Sequence, residues 1–332
     1  MKWKTSGSRR TGPANLKWRA RILAVLFLAG MLATSAWMKA SPAIGTAPAL
    51  PGNAVSNGVD WNDPISGTVN LDWANAHLTP RGIDMQDRGL VFQPVVNLDW
   101  HLYEAAASNN PWLDHVTFKT ALFNDFDTVR SGNSPGNWSE IDYTFGPELG
   151  LWKNWVLGSP FTIFKSQNGS FATCWAWDPQ LVYHDQWFGR FSINPYVEFF
   201  DELQNKITVV LVPSRSQSSF YGVVGVAPAY RFERLPLVLE LPAYILIPGA
   251  NFYQQANGSG GGTDLGLFAA SLRVRLDLSC LGPDFDHWTL YGGVQYQYLN
   301  NPGLLDGNLA SVPGAGRQRD FLVFHGGVTF HF

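Results

Sequence analysis

The chain has 332 residues, 45% of them hydrophobic, 14% aromatic and only 15% charged, where ordinary globular domains carry about 25% charge. Two cysteines exclude a disulfide-dense scaffold and a multi-cysteine metal module. A formal net charge of −3, with the one basic block at the extreme N-terminus, argues against a nucleic-acid partner.

Residues 1–21 hold Lys2, Lys4, Arg9, Arg10, Lys17, Arg19 and Arg21 and no acid, residues 22–33 are an unbroken apolar run, and Thr34-Ser35-Ala36 are small. This is the order of a secretory signal peptide, predicted over residues 1–36. The run is short of the ~20 residues that span a bilayer, so an uncleaved anchor is the weaker alternative. Thr11-Gly12-Pro13 follow Arg9-Arg10 where a twin-arginine signal carries an apolar pair. Without residues 1–36 the chain keeps 16 basic against 26 acidic residues. Residues 37–65 are rich in Pro, Ala, Gly and Asn and read as a periplasmic linker. Residues 66–332 form one domain.

From residue 66 onward the chain alternates with period two. In 90–103, Leu90, Phe92, Pro94, Val96, Leu98, Trp100 and Leu102 share one face, and Gln93, Asn97, Asp99 and His101 share the other. In 139–153, Ile141, Tyr143, Phe145 and Leu149 oppose Glu140, Asp142, Thr144 and Glu148. In 187–201, Val197 and Phe199 oppose Arg190, Tyr196 and Glu198. In 263–278, Phe268, Ala270, Leu272 and Val274 oppose Ser271, Arg273, Arg275 and Asp277, and 286–299 behaves alike. Weaker copies lie at 66–74, 114–124, 156–166, 206–213, 219–233 and 236–248, and 171–183 competes with 156–166.

Several of these segments run to about 14 residues, against ~5–6 for a soluble strand and ~9–11 for a membrane-crossing one. Weak hydropathy with strong alternation predicts an all-β fold, a transmembrane antiparallel up-and-down β-barrel of about 12 strands, with 10 to 14 also fitting. Long connections alternate with short ones, and 75–88 and 167–186 read as external loops. Trp187, Phe220 and Tyr298 fall near external strand ends, and Trp100, Phe199, Phe232, Trp288 and Phe330 near periplasmic ends, as interfacial girdles. A soluble secreted β-protein, with these rings in its core, is the alternative.

The final segment, RDFLVFHGGVTFHF (319–332), ends in Phe332 after alternating Leu322, Phe324, Val328 and Phe330. It resembles the closing strand of Gram-negative outer-membrane β-barrel proteins, porin-like in architecture. The resemblance implies the lipid bilayer of the cell outer membrane as surroundings and the outer-membrane insertion machinery as a partner, read through the strand ending at Phe332.

No G-x-S-x-G, H-E-x-x-H, P-loop or C-x-x-C motif occurs. No catalytic, cofactor-binding or metal residue is assigned. Asp99 and His101 share a face. His325 and His331 lie six residues apart, ~20 Å along a strand, too far for one ion. Cys174 and Cys280 fall on opposite sides of the predicted membrane and are expected not to form a disulfide. The inward charges Glu140, Asp142, Glu148, Arg190, Glu198, Arg231, Arg273 and Arg275 are the predicted pore-lining residues. Glu148 facing Arg273 and Arg275 across the barrel gives a transverse field that suits small polar solutes. The alternative is a closed, mutually paired charge network. The expected function is passive diffusion through a channel. Its rivals are a closed structural or adhesive barrel and a membrane-embedded hydrolase.

Overall fold

The computed structural model describes residues 64–86, 89–105, 112–128, 137–169, 171–185, 189–206, 218–254, 261–311 and 317–332. The predicted signal peptide, nearly all of the linker, Trp187, and all but the first residue of 206–213 lie outside the described residues.

Twelve antiparallel wall strands close into a barrel. They are β1 Ile65–Ala74, β2 Val91–Glu104, β3 Leu113–Asp127 and β4 Trp138–Leu151. Five strands in two pieces follow: β5, Trp155–Gly158 with Phe161–Ser166; β6, Cys174–Trp177 with Gln180–Tyr183; β7, Phe191–Ser192 with Pro195–Gln204; β8, Phe220–Val226 with Ala229–Arg231; and β9, Leu237–Glu240 with Ala243–Pro248. The wall ends with β10 Leu267–Asp277, β11 Trp288–Leu299 and β12 Asp320–His331. β1 pairs with both β2 and β12, from Thr68 opposite His331 to Ala74 opposite His325, so no edge is left open. Both ends of the wall, Ile65 and His331, lie at the end that holds the shorter connections, called here the turn end; the opposite one is the loop end.

Four of the five interruptions carry a proline: Pro160, Pro179, Pro228 and Pro242. Proline offers no N–H to the ladder, yet each carbonyl still accepts from the following wall strand, as in Phe199 N–H to Pro179 at 2.9 Å and Ser271 N–H to Pro242 at 2.8 Å. The ladder therefore bends without opening.

The period-two reading of faces holds around the barrel. Val96, Trp100, Val197, Phe199, Phe268, Leu272 and Leu322 are exposed on the outside, while Gln93, Glu198, Gln295 and Gln297 are buried within. Near the loop end the rings of Trp73, Phe92, Phe126 and Trp138 stack in series across β1 to β4, with centroids 5.3, 6.2 and 5.8 Å apart. Trp288, Phe330 and Phe332 group at the turn end.

Three expectations are corrected. The stretch 174–183, placed in an external loop, is a wall strand. Its two halves flank Asp178-Pro179 and are each too short to show a period. β7 pairs directly with β8, Asp201 opposite Phe220, which leaves no wall position for 206–213. One strand gained and one lost keep the count at twelve but reverse β7. The Phe199 ring therefore lies against that of Phe220, centroids 5.6 Å apart and tilted by 35°, toward the loop end rather than the periplasmic side. The third correction concerns 75–88, which is not an external loop. Its residues Ala76 to Gln86 turn into the barrel, with a short hairpin of His77–Leu78 and Asp84–Gln86, because Ala76 and Leu78 have an apolar interior to enter and both are fully buried. Among the described residues, one α-helix, α1 Pro302–Ser311, lies in the connection from β11 to β12, and two short 3-10 turns occupy 278–285. No helix among the described residues is long and apolar enough to cross a membrane.

Candidate functional site

The lumen has two layers. The layer at the loop end is packed. The inserted hairpin turns at Thr79-Pro80-Arg81-Gly82, closed by Gly82 N–H to Thr79 O at 2.8 Å and Thr79 N–H to Ile83 O at 2.9 Å. Gly82 has φ +79, and a Cβ there would meet Leu299, Leu304 and Leu267 at 2.8–3.0 Å, so the turn needs glycine on both counts. Tyr244 donates to Pro80 O at 2.9 Å, Tyr253 donates to Arg81 O, and Asn308 of α1 donates to Gly82 O at 2.8 Å. The Arg81 guanidinium sits over Phe164 at 4.6 Å and Phe200 at 5.2 Å. A segment that leaves β1 and touches β5, β7, β9, β10 and β11 crosses the lumen.

His77 anchors the same segment to β3. Its Nδ1 lies 2.9 Å from Asp125 Oδ2. Asp125 also accepts from Gln93 Nε2 at 2.8 Å and from Ser139 Oγ. Burial alone would lower the proton affinity of His77. The carboxylates of Asp125, Asp127 and Glu140 outweigh it and push the imidazole pKa up to about 9.

The second layer, toward the turn end, is charged and keeps side-chain surface accessible to solvent; it is called here the hydrated layer. Lys119 Nζ is 3.0 Å from Glu148 and 3.9 Å from Asp99. Arg275 and Arg273 reach Glu240 at 2.8 and 3.9 Å. Tyr291 donates to Asp72. These side chains point inward, yet Lys119 keeps 39% and Arg273 30% of its exposure, so solvent reaches the lumen at this depth.

The eight predicted pore residues divide among these levels. Glu140, Asp142 and Glu198 stand in the packed layer. Glu148, Arg273 and Arg275 stand in the hydrated layer. Arg190 and Arg231 lie at the turn-end rim, where Arg190 pairs with Glu233. The cross-barrel partnership expected of Glu148 and Arg273 gives way to neighbours on the wall. Glu148 meets Lys119 on β3, and Arg273 lies opposite Glu240 on β9 in register. His101 meets Ser66 at 2.9 Å and His331 meets Thr289 at 3.3 Å. No disulfide joins Cys174 and Cys280, which lie at opposite ends of the barrel.

The sequence reading missed Lys119, Glu240, His77, Asp125 and Asp127. The predicted strand stopped at residue 124. Continuing its alternation through Phe123, Asp125 and Asp127, with Phe126 outside, would have put both carboxylates on the inward face.

No protein-family model and no curated protein matches the chain. Among solved structures, the chain is similar to the NanC porin, at 8% identity over 80% of this chain and 98% of that one, with a TM-score of 0.45. It is similar to an outer membrane channel from Pseudomonas putida F1, at 13% identity over 81% and 95%, with a TM-score of 0.46. It is also similar to the KdgM porin in complex with disordered oligogalacturonate, at 8% identity over 80% and 99%, with a TM-score of 0.40.

Proposed function

We propose that the protein is an outer-membrane channel for the passive diffusion of small polar solutes, narrowed at its loop end by the inserted hairpin. The observation that carries this reading is the hydrated charge layer: Lys119, Arg273 and Arg275 face the lumen, pair with acids on adjacent strands, and still meet water. Opposed walls of Lys119 with Glu148 and of Arg273 and Arg275 with Glu240 suit dipolar or zwitterionic solutes. No covalent chemistry is needed. Residues 1–36 serve export and are cleaved, residues 37–65 are a periplasmic linker, and the strand ending at Phe332 is read by the insertion machinery. The turn end faces the periplasm.

The inserted hairpin favours a second reading, a closed barrel that anchors or presents loops. Single-channel conductance separates the two. The refolded full chain is compared with a variant in which a short Gly-Ser link replaces 77–86. Discrete steps that grow severalfold in the variant support a narrowed channel. Silence in both correctly folded proteins overturns it and leaves the closed barrel.

A further inference from the structure

His77, Asp125 and Asp127 stand outside the hydrated layer. They are 4%, 0% and 6% exposed. Each offers one ligand atom to a set whose members all lie within 4.8 Å of one another. Asp125 and Asp127 are two residues apart on β3, so the pleat sends both carboxylates inward, while His77 comes from the inserted hairpin. Asp125 is well supplied with donors. Asp127 has the Ser139 hydroxyl as a donor, but its Oδ1 is buried and has no hydrogen-bond partner among the described residues. Glu140, opposite Asp125 in register and 5% exposed, adds a third carboxyl to the same place. A buried carboxyl oxygen without a donor, grouped with two further carboxyls and one imidazole, is a place that a cation can fill.

We propose that His77, Asp125 and Asp127 bind a divalent first-row transition cation of the Zn2+ or Mn2+ kind, which ties the inserted hairpin to the barrel wall. One imidazole nitrogen with two carboxylate oxygens is a ligand set for such ions. Calcium and magnesium take oxygen cages instead. Bonds of about 2.0–2.2 Å place neighbouring ligand atoms roughly 3–4 Å apart, so a small side-chain movement closes the set. His77 Nδ1 and Asp125 Oδ2 already stand 2.9 Å apart. Binding releases to solvent the proton that Nδ1 otherwise shares with Asp125, so the neutral imidazole can ligate; the ion takes over the counter-charge of the imidazolium, and water fills the remaining positions. Because the ligands come from two segments distant in the chain, the ion acts as a staple.

The test uses the full chain refolded in detergent, stripped with EDTA and titrated with ZnCl2 and with MnCl2. Heat release is followed and bound metal is counted by elemental analysis. The expected result is one equivalent per chain and a higher thermal midpoint. Asp127→Asn, which keeps size and shape, and His77→Gln should each weaken binding at least about tenfold, while Asp99→Asn in the hydrated layer leaves it unchanged. A heat-dependent gel shift reports folding of each variant, and Asp127→Asn decides the matter if His77→Gln misfolds. Absence of stoichiometric binding to either ion, or equal binding by Asp127→Asn, overturns the proposal. Conductance is a separate readout, so a barrel that binds the ion and never conducts keeps this site and loses the channel.

Discussion

The guanidinium of Arg81, carried by the segment that joins β1 to β2, lies 5.2 Å over the ring of Phe200 on β7, half the barrel circumference away. Phe164 of β5 flanks the same cation at 4.6 Å. The inserted segment is therefore held from the far wall as well as from its own root.

Arg81→Ala removes this grip. A desolvated cation over a ring is worth about 2 kcal/mol, and the change also deprives Glu202 and Glu140 of a nearby positive charge. The variant should lose about 2–4 kcal/mol in urea unfolding. Its open-channel conductance should rise. Unchanged values for both would show that the hairpin is held elsewhere.

Gly82→Val tests the turn. A β-branched side chain at φ +79, pressed against Leu267, Leu299 and Leu304, should cost about 2–4 kcal/mol. The cost should fall only in part in a Gly82→Val chain that also carries Leu304→Ala, because the φ strain and the contacts with Leu299 and Leu267 remain. Urea midpoints of the single and double variants check the coupling.

Ion preference should follow the hydrated layer. A unit charge about 5 Å from an ion in water is worth about 0.8 kcal/mol, roughly fourfold in relative permeability. Arg273→Gln with Arg275→Gln should shift the reversal potential in a KCl gradient toward cations. Glu148→Gln leaves Lys119 with the more distant Asp99 and should shift it toward anions. A common direction for both changes would place these residues outside the conducting path.

Phe332 closes the barrel onto Gly67. Gly67 N–H donates to Phe332 O at 2.8 Å, and Phe332 N–H donates to Gly67 O at 3.1 Å. The Phe332 ring lies where a Cβ on Gly67 would stand, 2.7 Å away. Deleting Phe332 removes two backbone hydrogen bonds of about 0.5–1.5 kcal/mol each together with the ring packing. The fraction of chain in the compact, heat-sensitive gel band should drop. Gly67→Val should do the same with the terminal residue present.

The faces of the wall were legible because one property decides them. A strand's side chains alternate strictly, and lipid outside demands apolar residues whatever the partner strand. Trp100, Val197 and Leu272 needed no knowledge of neighbours. The stretch 174–183 was illegible because Asp178-Pro179 halves it, and only pairing with β5 and β7 makes two four-residue pieces into a wall strand. The inserted hairpin was illegible for a related reason. Polar, turn-rich residues such as Thr79-Pro80-Arg81-Gly82 suit an external loop as well as a lumen lined with Tyr244, Tyr253 and Asn308.

By itself the sequence determined the barrel, most of its wall strands and, along them, which residues face outward and which inward, because period two is a local property of the backbone; the identity of the sixth wall strand was left to the tertiary structure. The tertiary structure alone decided which inward residues meet. Lys119 finds Glu148, and Arg273 finds Glu240, through strand register. His77 finds Asp125, and Arg81 finds Phe200, because a connecting segment folds into the lumen. These contacts join residues far apart in the chain, and their geometry follows from how the strands stagger when the wall closes.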